Sequence, residues 1–294
     1  MPAITSCATS GFCNYPLEAA CRSIAARGFK SVDIVHLGFY CRHLDLDVVD
    51  LGQVRRMLAE HGLRPFGMNY STSWLVGSFP ELARLNDPAS VPEFEHKVKR
   101  ALAAAQSLGV KVVNTPIGRR RTELPDPLDE LKAAAAVFSR LADEAQGLGV
   151  HLAIEAPHVY QLDYNIERMA EFLSYVTSDN LGVVLDSSHW RLIRYDLDAY
   201  LRIVGNRLCH IHLRDAVGVD DGSLDQKLEF TAGRGEVNFA LLARKLDAVG
   251  YRGGVTLEFE YRDLSLSQIE AEYDYGIRHL RSCGWSFADS VRPV

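Results

Sequence analysis

The stretch AQGLGVHLAIEAPH, residues 145–158, decides the fold. It holds the tail of a helix, a glycine, a short apolar run, and then an acid followed by turn residues. A glycine at that place is what a helix needs to stop in a left-handed conformation. The run after it, HLAIE, has the near-continuous apolar character of a strand buried on both faces. The same cadence recurs in SIAARGFKSVDIVH (23–36), MLAEHGLRPFGMNY (57–70) and AQSLGVKVVNTPIG (105–118). It continues in LGVVLDSSH (181–189), NRLCHIHLRDA (206–216) and AVGYRGGVTLEFEY (248–261). With the opening AITSCATS (3–10), eight strands are predicted.

Apolar strands separated by amphipathic helices make a parallel sheet covered by helices. Eight such units in 294 residues match the size of a closed (β/α)8 TIM barrel, an α/β fold. A doubly wound open sheet would carry a G-x-G-x-x-G loop after its first strand, where this chain has Ser10-Gly11-Phe12-Cys13. No Pro/Gly/Ser-rich linker divides the chain, so residues 1–294 read as one domain. One helix, from about residue 92 to 108, opens with Ser90-Val91-Pro92-Glu93 in capping-box spacing and turns Phe94, Val98, Ala101, Leu102, Ala105 and Leu108 to one side. Residues 220–234 are long and polar enough for a candidate lid loop.

Composition narrows the partner. Hydrophobic residues make up 47% and charged residues 24%, enough for a large core. The net charge of -6 argues against nucleic-acid or membrane-surface binding, which calls for a basic face. No run of about 18 apolar residues exists, and the N-terminus lacks a basic, then apolar, leader. The six cysteines (7, 13, 21, 41, 209, 283) are scattered, as reduced thiols in a cytoplasmic protein are. A small-molecule partner is the expectation.

In a TIM barrel the reactive groups lie at the C-terminal strand ends. The last four strands place Glu155, Asp186, His212 and Glu258 there, separated by 31, 26 and 46 residues, so that consecutive units set them side by side on one rim. Alternation agrees: Thr256, Glu258 and Glu260 share the inner face, as do His210, His212 and Arg214, and Ala153 with Glu155. Periodicity leaves Glu258 against Glu260, and His212 against His210, undecided. Taken singly, each acid has a bland account as a helix N-cap or salt-bridge partner, and a strand histidine as a hydrogen-bonded core residue. Four on successive strand tips is what that account does not anticipate. Three clustered carboxylates repel one another unless a cation intervenes. An oxygen-rich set with one imidazole suits a divalent metal, Mn2+ or Mg2+, with Co2+ or Zn2+ as alternatives.

The segments LAIEAPH, VVLDSSHW, IHLRDA, GRGEVNF and GGVTLEFE resemble, in order and spacing, the xylose isomerase-like TIM barrels. That group includes ketose 3-epimerases, inosose isomerases and dehydratases, hydroxypyruvate isomerases and endonuclease IV. The resemblance implies metal ligands at Glu155, Asp186 (of D-x-x-H), His212 (of H-x-x-D) and Glu258. It implies a substrate contact at His189 and sets Arg214 beside a position where members often hold a lysine. GRGEVNF (233–239) matches a family turn in which Asn238 stands for the usual aspartate.

The activity so implied is isomerisation or epimerisation of a ketose or keto-sugar by proton transfer beside a carbonyl, through an enediolate, with Glu155 and Glu258 as the catalytic acid/base pair. His189 and Arg214 would hold substrate oxygens. Tyr70, Trp74 and Trp190 are candidate ring-stacking walls. A lyase working by dehydration or β-elimination shares the site and stays open, as does a silent sugar-binding barrel. Endonuclease chemistry is disfavoured by the acidic charge and too few histidines. Arg119, Arg120 and Arg121 are candidates for a phosphate or carboxylate on the substrate, and the family also implies a homo-oligomer.

Overall fold

Eight parallel strands close on themselves, and they are the eight read from the sequence. The computed structural model describes residues 3–38, 40–71, 84–118, 128–159, 161–220 and 229–287. The barrel strands are β1 Ser6–Ala8, β2 Ser31–Leu37, β3 Arg64–Ser71, β4 Val112–Asn114, β5 His151–Glu155, β6 Leu181–Asp186, β7 Leu208–Leu213 and β8 Gly254–Leu257. Each pairs in parallel with the next, and Thr256 of β8 opposite Ser6 of β1 closes the ring. The opening segment splits, with Ala3–Ile4 pairing outside the barrel with Ser286–Phe287.

Helices cover the sheet: α1 Leu17–Ala26, α2 Leu51–Glu60, α3 Val91–Leu108, α4 Leu128–Gly147, α5 Ile166–Tyr175, α6 Ser187–Ile193, α7 Leu197–Val204, α8 Phe239–Ala248 and α9 Leu266–Ser282. Among the described residues no helix is long and apolar enough to cross a membrane. The six residues expected on the inner face of α3 are all buried, and Gly109 ends that helix at φ 81°. Its start differs from the capping-box expectation. The Ser90 hydroxyl does not cap but donates to Asp87 Oδ2 at 3.2 Å, while Asp87 Oδ1 accepts from the Ala89 amide at 3.0 Å. The turn begins one step earlier because an aspartate is available there.

Strand alternation sorts the side chains into two layers. Leu152, Ile154, Val183, Leu185, Ile211, Leu213, Val255 and Leu257 face the helices in the main core, each contributing about 1.5–3 kcal/mol by leaving water. Phe66, Val112, Ala153, Val184 and Cys209 form a smaller apolar plug inside the barrel. Two bulges break the phase. Between the pairs Val183–Leu208 and Val184–His210, β7 holds one extra residue, Cys209, which is why LCHIHL shows no strict apolar period. Between Val32–Pro65 and Ile34–Met68, β3 likewise holds one residue more than β2.

Beside the plug lies a buried polar cluster centred on Asp33. Its carboxylate accepts from Ser6 Oγ (2.7 Å), the Gly67 amide (3.1 Å) and Thr256 Oγ1 (2.9 Å), and contacts His210 Nε2 at 2.6 Å. A Cβ on Gly67 would run into the Asp33 carboxylate, so the bulge on β3 requires a glycine there. Burial pushes the Asp33 carboxyl up, but His210 outweighs it and holds the group at about 2.

Two outcomes follow. Asp33→Asn is expected to cost about 3–5 kcal/mol, read as a lower urea midpoint at unchanged slope, because it leaves His210 without its anion. Since the folded-state value lies below the ordinary aspartate value of 3.8, this group's contribution is present above about pH 4 and lost as pH falls toward 2. The acid-side slope of stability should therefore be shallower in the variant than in the parent protein.

Candidate active site

Glu155 is the last residue of β5 and Asp186 the last of β6, while His212 sits one before the end of β7 and Glu258 directly follows β8. Closure of the barrel brings these four together: one ligand-competent atom from each lies within 4.8 Å of the others, and all four residues are buried. His212 Nδ1 is 2.9 Å from Glu155 Oε1 and 2.8 Å from Glu258 Oε2, so one ring nitrogen faces two carboxylates. Asn69 Nδ2 donates to Glu258 Oε1 at 3.1 Å. Burial disfavours the imidazolium, but Glu258 and Glu155 outweigh it and raise His212 well above its ordinary value. Burial raises Glu155, whereas at Glu258 the pull of His212 and Arg214 overcomes burial and holds it below the usual range.

Asp186 serves two ends at once. Its Oδ1 accepts from the Ser188 amide at 2.6 Å, capping α6, and its Oδ2 meets Arg214 Nη2 at 2.7 Å. Both bland accounts of this acid thus hold alongside its place in the cluster. Burial opposes its ionisation, yet Arg214 holds it well below the carboxylate range. Arg214 also lies 3.2 Å from Glu229 and 3.4 Å from Glu260. Burial pushes Glu260 up to about 7 against the pull of Arg214, with Glu229 and Glu258 adding to the rise. Glu258 is therefore the central glutamate and Glu260 a lateral one. His210 lies one pleat below His212, already engaged with Asp33.

His189, in the first turn of α6, is buried, and neither ring nitrogen has a hydrogen-bond partner among the described residues. Its ring lies 4.1 Å from that of His158. One atom each from Glu155, His158 and His189 falls within 4.8 Å of the others, a second set able to hold a cation. His158, Asn69, Asn114 and Gln161 line the small cavity over the cluster, together with Glu155, Glu258 and Glu260. None of those first four was singled out from the sequence. A polar residue closing the apolar runs FGMN and KVVN was the available signal, and the bulge on β3 obscured its phase.

Two expected substrate contacts lie elsewhere. Tyr70 points to the helix side, packs in the main core and stacks on His36 with ring centroids 4.9 Å apart, because its neighbour Asn69 takes the inward position. Trp190 donates its indole N–H to the Tyr195 carbonyl at 3.1 Å and lines a separate surface cavity with Arg194, Glu236 and Asn238. Trp74 and Arg119 to Arg121 lie outside the described residues, as do residues 221–228 of the expected lid. The described end of that segment is ordered, since Glu229–Phe230 pairs antiparallel with Asp215–Ala216.

A model of the xylose isomerase-like TIM barrel matches residues 21–283, nearly the whole chain. The chain belongs to this family. Among its relatives is an inosose isomerase of Bacillus velezensis, 25% identical over 187 residues, which are 62% of this chain and 66% of that protein. The match spans just under two thirds of that relative's length. A ketose 3-epimerase of Arthrobacter globiformis is 26% identical over 213 residues, 71% of this chain and 68% of the relative. A solved structure described as IolI protein with a binding zinc atom superposes with a TM-score of 0.78 at 18% identity, covering 95% of this chain and 98% of that one. At that identity the likeness is one of fold.

The turn GRGEVNF, by which the chain resembles this barrel family, has a physical organiser. Asp215 Oδ2 accepts from the amides of Gly233 (2.8 Å) and Gly235 (2.9 Å), and Oδ1 from those of Val237 and Ala216 (both 2.9 Å). Asn238 then caps α8 through the Leu241 amide at 2.9 Å. Asp215→Ala is expected to cost about 3 kcal/mol. Hydrogen exchange should show lost protection at Gly233, Gly235 and Val237 while the amides of β5 keep theirs.

Proposed function

We propose that this barrel is a divalent-metal-dependent isomerase or epimerase of a ketose or keto-sugar, acting by proton transfer at the carbon beside a carbonyl. The observation that carries it is the pair Glu155 and Glu258, buried and facing each other across His212 Nδ1 at 2.9 and 2.8 Å, with Asp186 in the same cluster. Two carboxylates so placed can take a proton from one side of a carbon and return it to the other. The names borne by the relatives, inosose isomerase and ketose 3-epimerase, support the same class.

The donor set fits a metal. Three carboxylates and one imidazole converge, and His212 answers two acids with one nitrogen. Glu155, Asp186, His212 and Glu258 would hold the ion, Mn2+ or Mg2+ by their hardness. When bound, a divalent cation supplies Lewis-acid polarisation of the carbonyl and compensates the negative charge left by the departing proton. Glu155 and Glu258 move that proton. His189, with both nitrogens uncommitted among the described residues, would grip a substrate hydroxyl or carbonyl oxygen. Arg214, anchored by Asp186, directs its guanidinium to the same cavity and can hold a second oxygen.

Elemental analysis of purified protein is expected to show about one divalent ion per chain, removable by chelator and restored by Mn2+. In heavy water, a ketose turned over by the enzyme should exchange the C–H beside its carbonyl. Glu258→Gln, with the fold intact by circular dichroism, should lower that exchange by about 10² to 10⁴. Protein that stays folded and metal-free after Mn2+ addition, or exchange unchanged in the variant, defeats the reading.

A further inference from the structure

Two imidazoles stand beside the four-residue cluster without belonging to it. His158 lines the small cavity and is 8% exposed, and His189 next to it is 1% exposed. Their ring centroids are 4.1 Å apart, with the planes tilted by 42°. Neither nitrogen of His189 has a hydrogen bond among the described residues, whereas buried side-chain nitrogens ordinarily find one. One ligand-competent atom each from Glu155, His158 and His189 lies within 4.8 Å of the others. The backbone fixes this trio. His158 stands three residues beyond Glu155, in a turn where the Gln161 amide donates to the His158 carbonyl at 3.0 Å and Gln161 Oε1 accepts from the Ile117 amide at 2.9 Å. His189 follows Asp186 in the first turn of α6. A third trio, Asp33, His210 and His212, is equally compact, but its groups are already engaged: the Asp33 carboxylate has four partners and His212 faces two glutamates.

We propose that Glu155, His158 and His189 form a second cation site, for an ion of the Zn2+ class, distinct from the acid-rich cluster with which it shares Glu155. The two donor sets differ in chemistry. Three carboxylates and one imidazole suit a hard ion. Two imidazoles and one carboxylate are a zinc set, three protein ligands with a fourth position left for a small molecule. A cation in the four-residue cluster engages neither His158 nor His189 and so leaves His189 without a partner. A cation at the trio supplies that partner, and Glu155 has two oxygens to divide between the sites. Paired ions can clamp two oxygens of one ligand. This builds on the isomerase reading, in which His189 grips a substrate oxygen directly, by putting an ion between the two.

Equilibrium dialysis of chelator-stripped protein against Mn2+ and, separately, against Zn2+, with bound ions counted by elemental analysis, tests this. Mn2+ should bind at about one per chain and Zn2+ at about two. His158→Gln and His189→Gln, each folded by circular dichroism, should each hold about one Zn2+ fewer than the parent protein while the Mn2+ count stays unchanged. Either variant keeping the parent's Zn2+ count overturns the proposal, because an adventitious surface site survives both changes. Loss of Mn2+ together with Zn2+ in both variants overturns it as well, because the trio would then be part of the first site. The outcome is separable from the isomerase reading. A parent that binds no Mn2+ but loses one Zn2+ in both variants keeps this site and defeats only the inner ion, whereas Mn2+ binding and proton exchange without histidine-dependent Zn2+ defeat only this site.

Discussion

Everything at the top of this barrel depends on how buried carboxylates are compensated. Closing a parallel sheet drives the ends of β5, β6 and β8 together, and each ends on or beside an acid. An unpaired carboxylate in such a place costs several kcal/mol. The fold answers from β7, the strand between the second and third acids. His212 reaches Glu155 and Glu258, and Arg214, two residues on, reaches Asp186. One imidazole and one guanidinium face three central acids, with Glu229 and Glu260 competing for the guanidinium. The cluster remains rich in negative charge, and that excess supports the proposed cation.

The interior beneath it repeats the theme around a carboxylate with four partners, although His210 Nδ1 has no hydrogen bond among the described residues. Asp33 is met by Ser6, Gly67, Thr256 and His210, every partner coming from a different strand. Buried polar networks are stabilising when complete and costly when partial. The lower network is complete at its carboxylate and reads as structural. The upper one keeps both ring nitrogens of His189 without hydrogen bonds among the described residues.

The loops are tied to the same strand ends. Asp215 leaves β7 three residues after His212 and binds the backbone of residues 233–237, so the turn that precedes α8 is fixed relative to the cluster. Asp186 likewise caps α6 while holding Arg214, and α6 carries His189. The buried acid cluster and the helix cap here use the same carboxylate, so the position of His189 depends on the charge balance below it.

The barrel and the identity of its converging acids were legible in the chain itself. Strand and helix periods are local properties, and a glycine after each helix marks the spacing, so HLAIE, LGVVLD and VTLEFE each announced a strand with an acid at or near its end, and alternation gave the inward phase of Glu155 and of the pair Glu258 and Glu260 without choosing between the two. Tertiary structure decided the rest. An extra residue in β3 and another in β7 shift the phase in a way no local pattern reveals, so Asn69 rather than Tyr70 meets the site. The choice of His212 over His210 turned on a partner 177 residues from His210, the carboxylate of Asp33. The orientation of Trp190 depends on the carbonyl its indole finds. That Asp186 is answered by Arg214 across 28 residues follows from strand adjacency in a closed sheet, a long-range pairing of charges that local sequence alone does not specify.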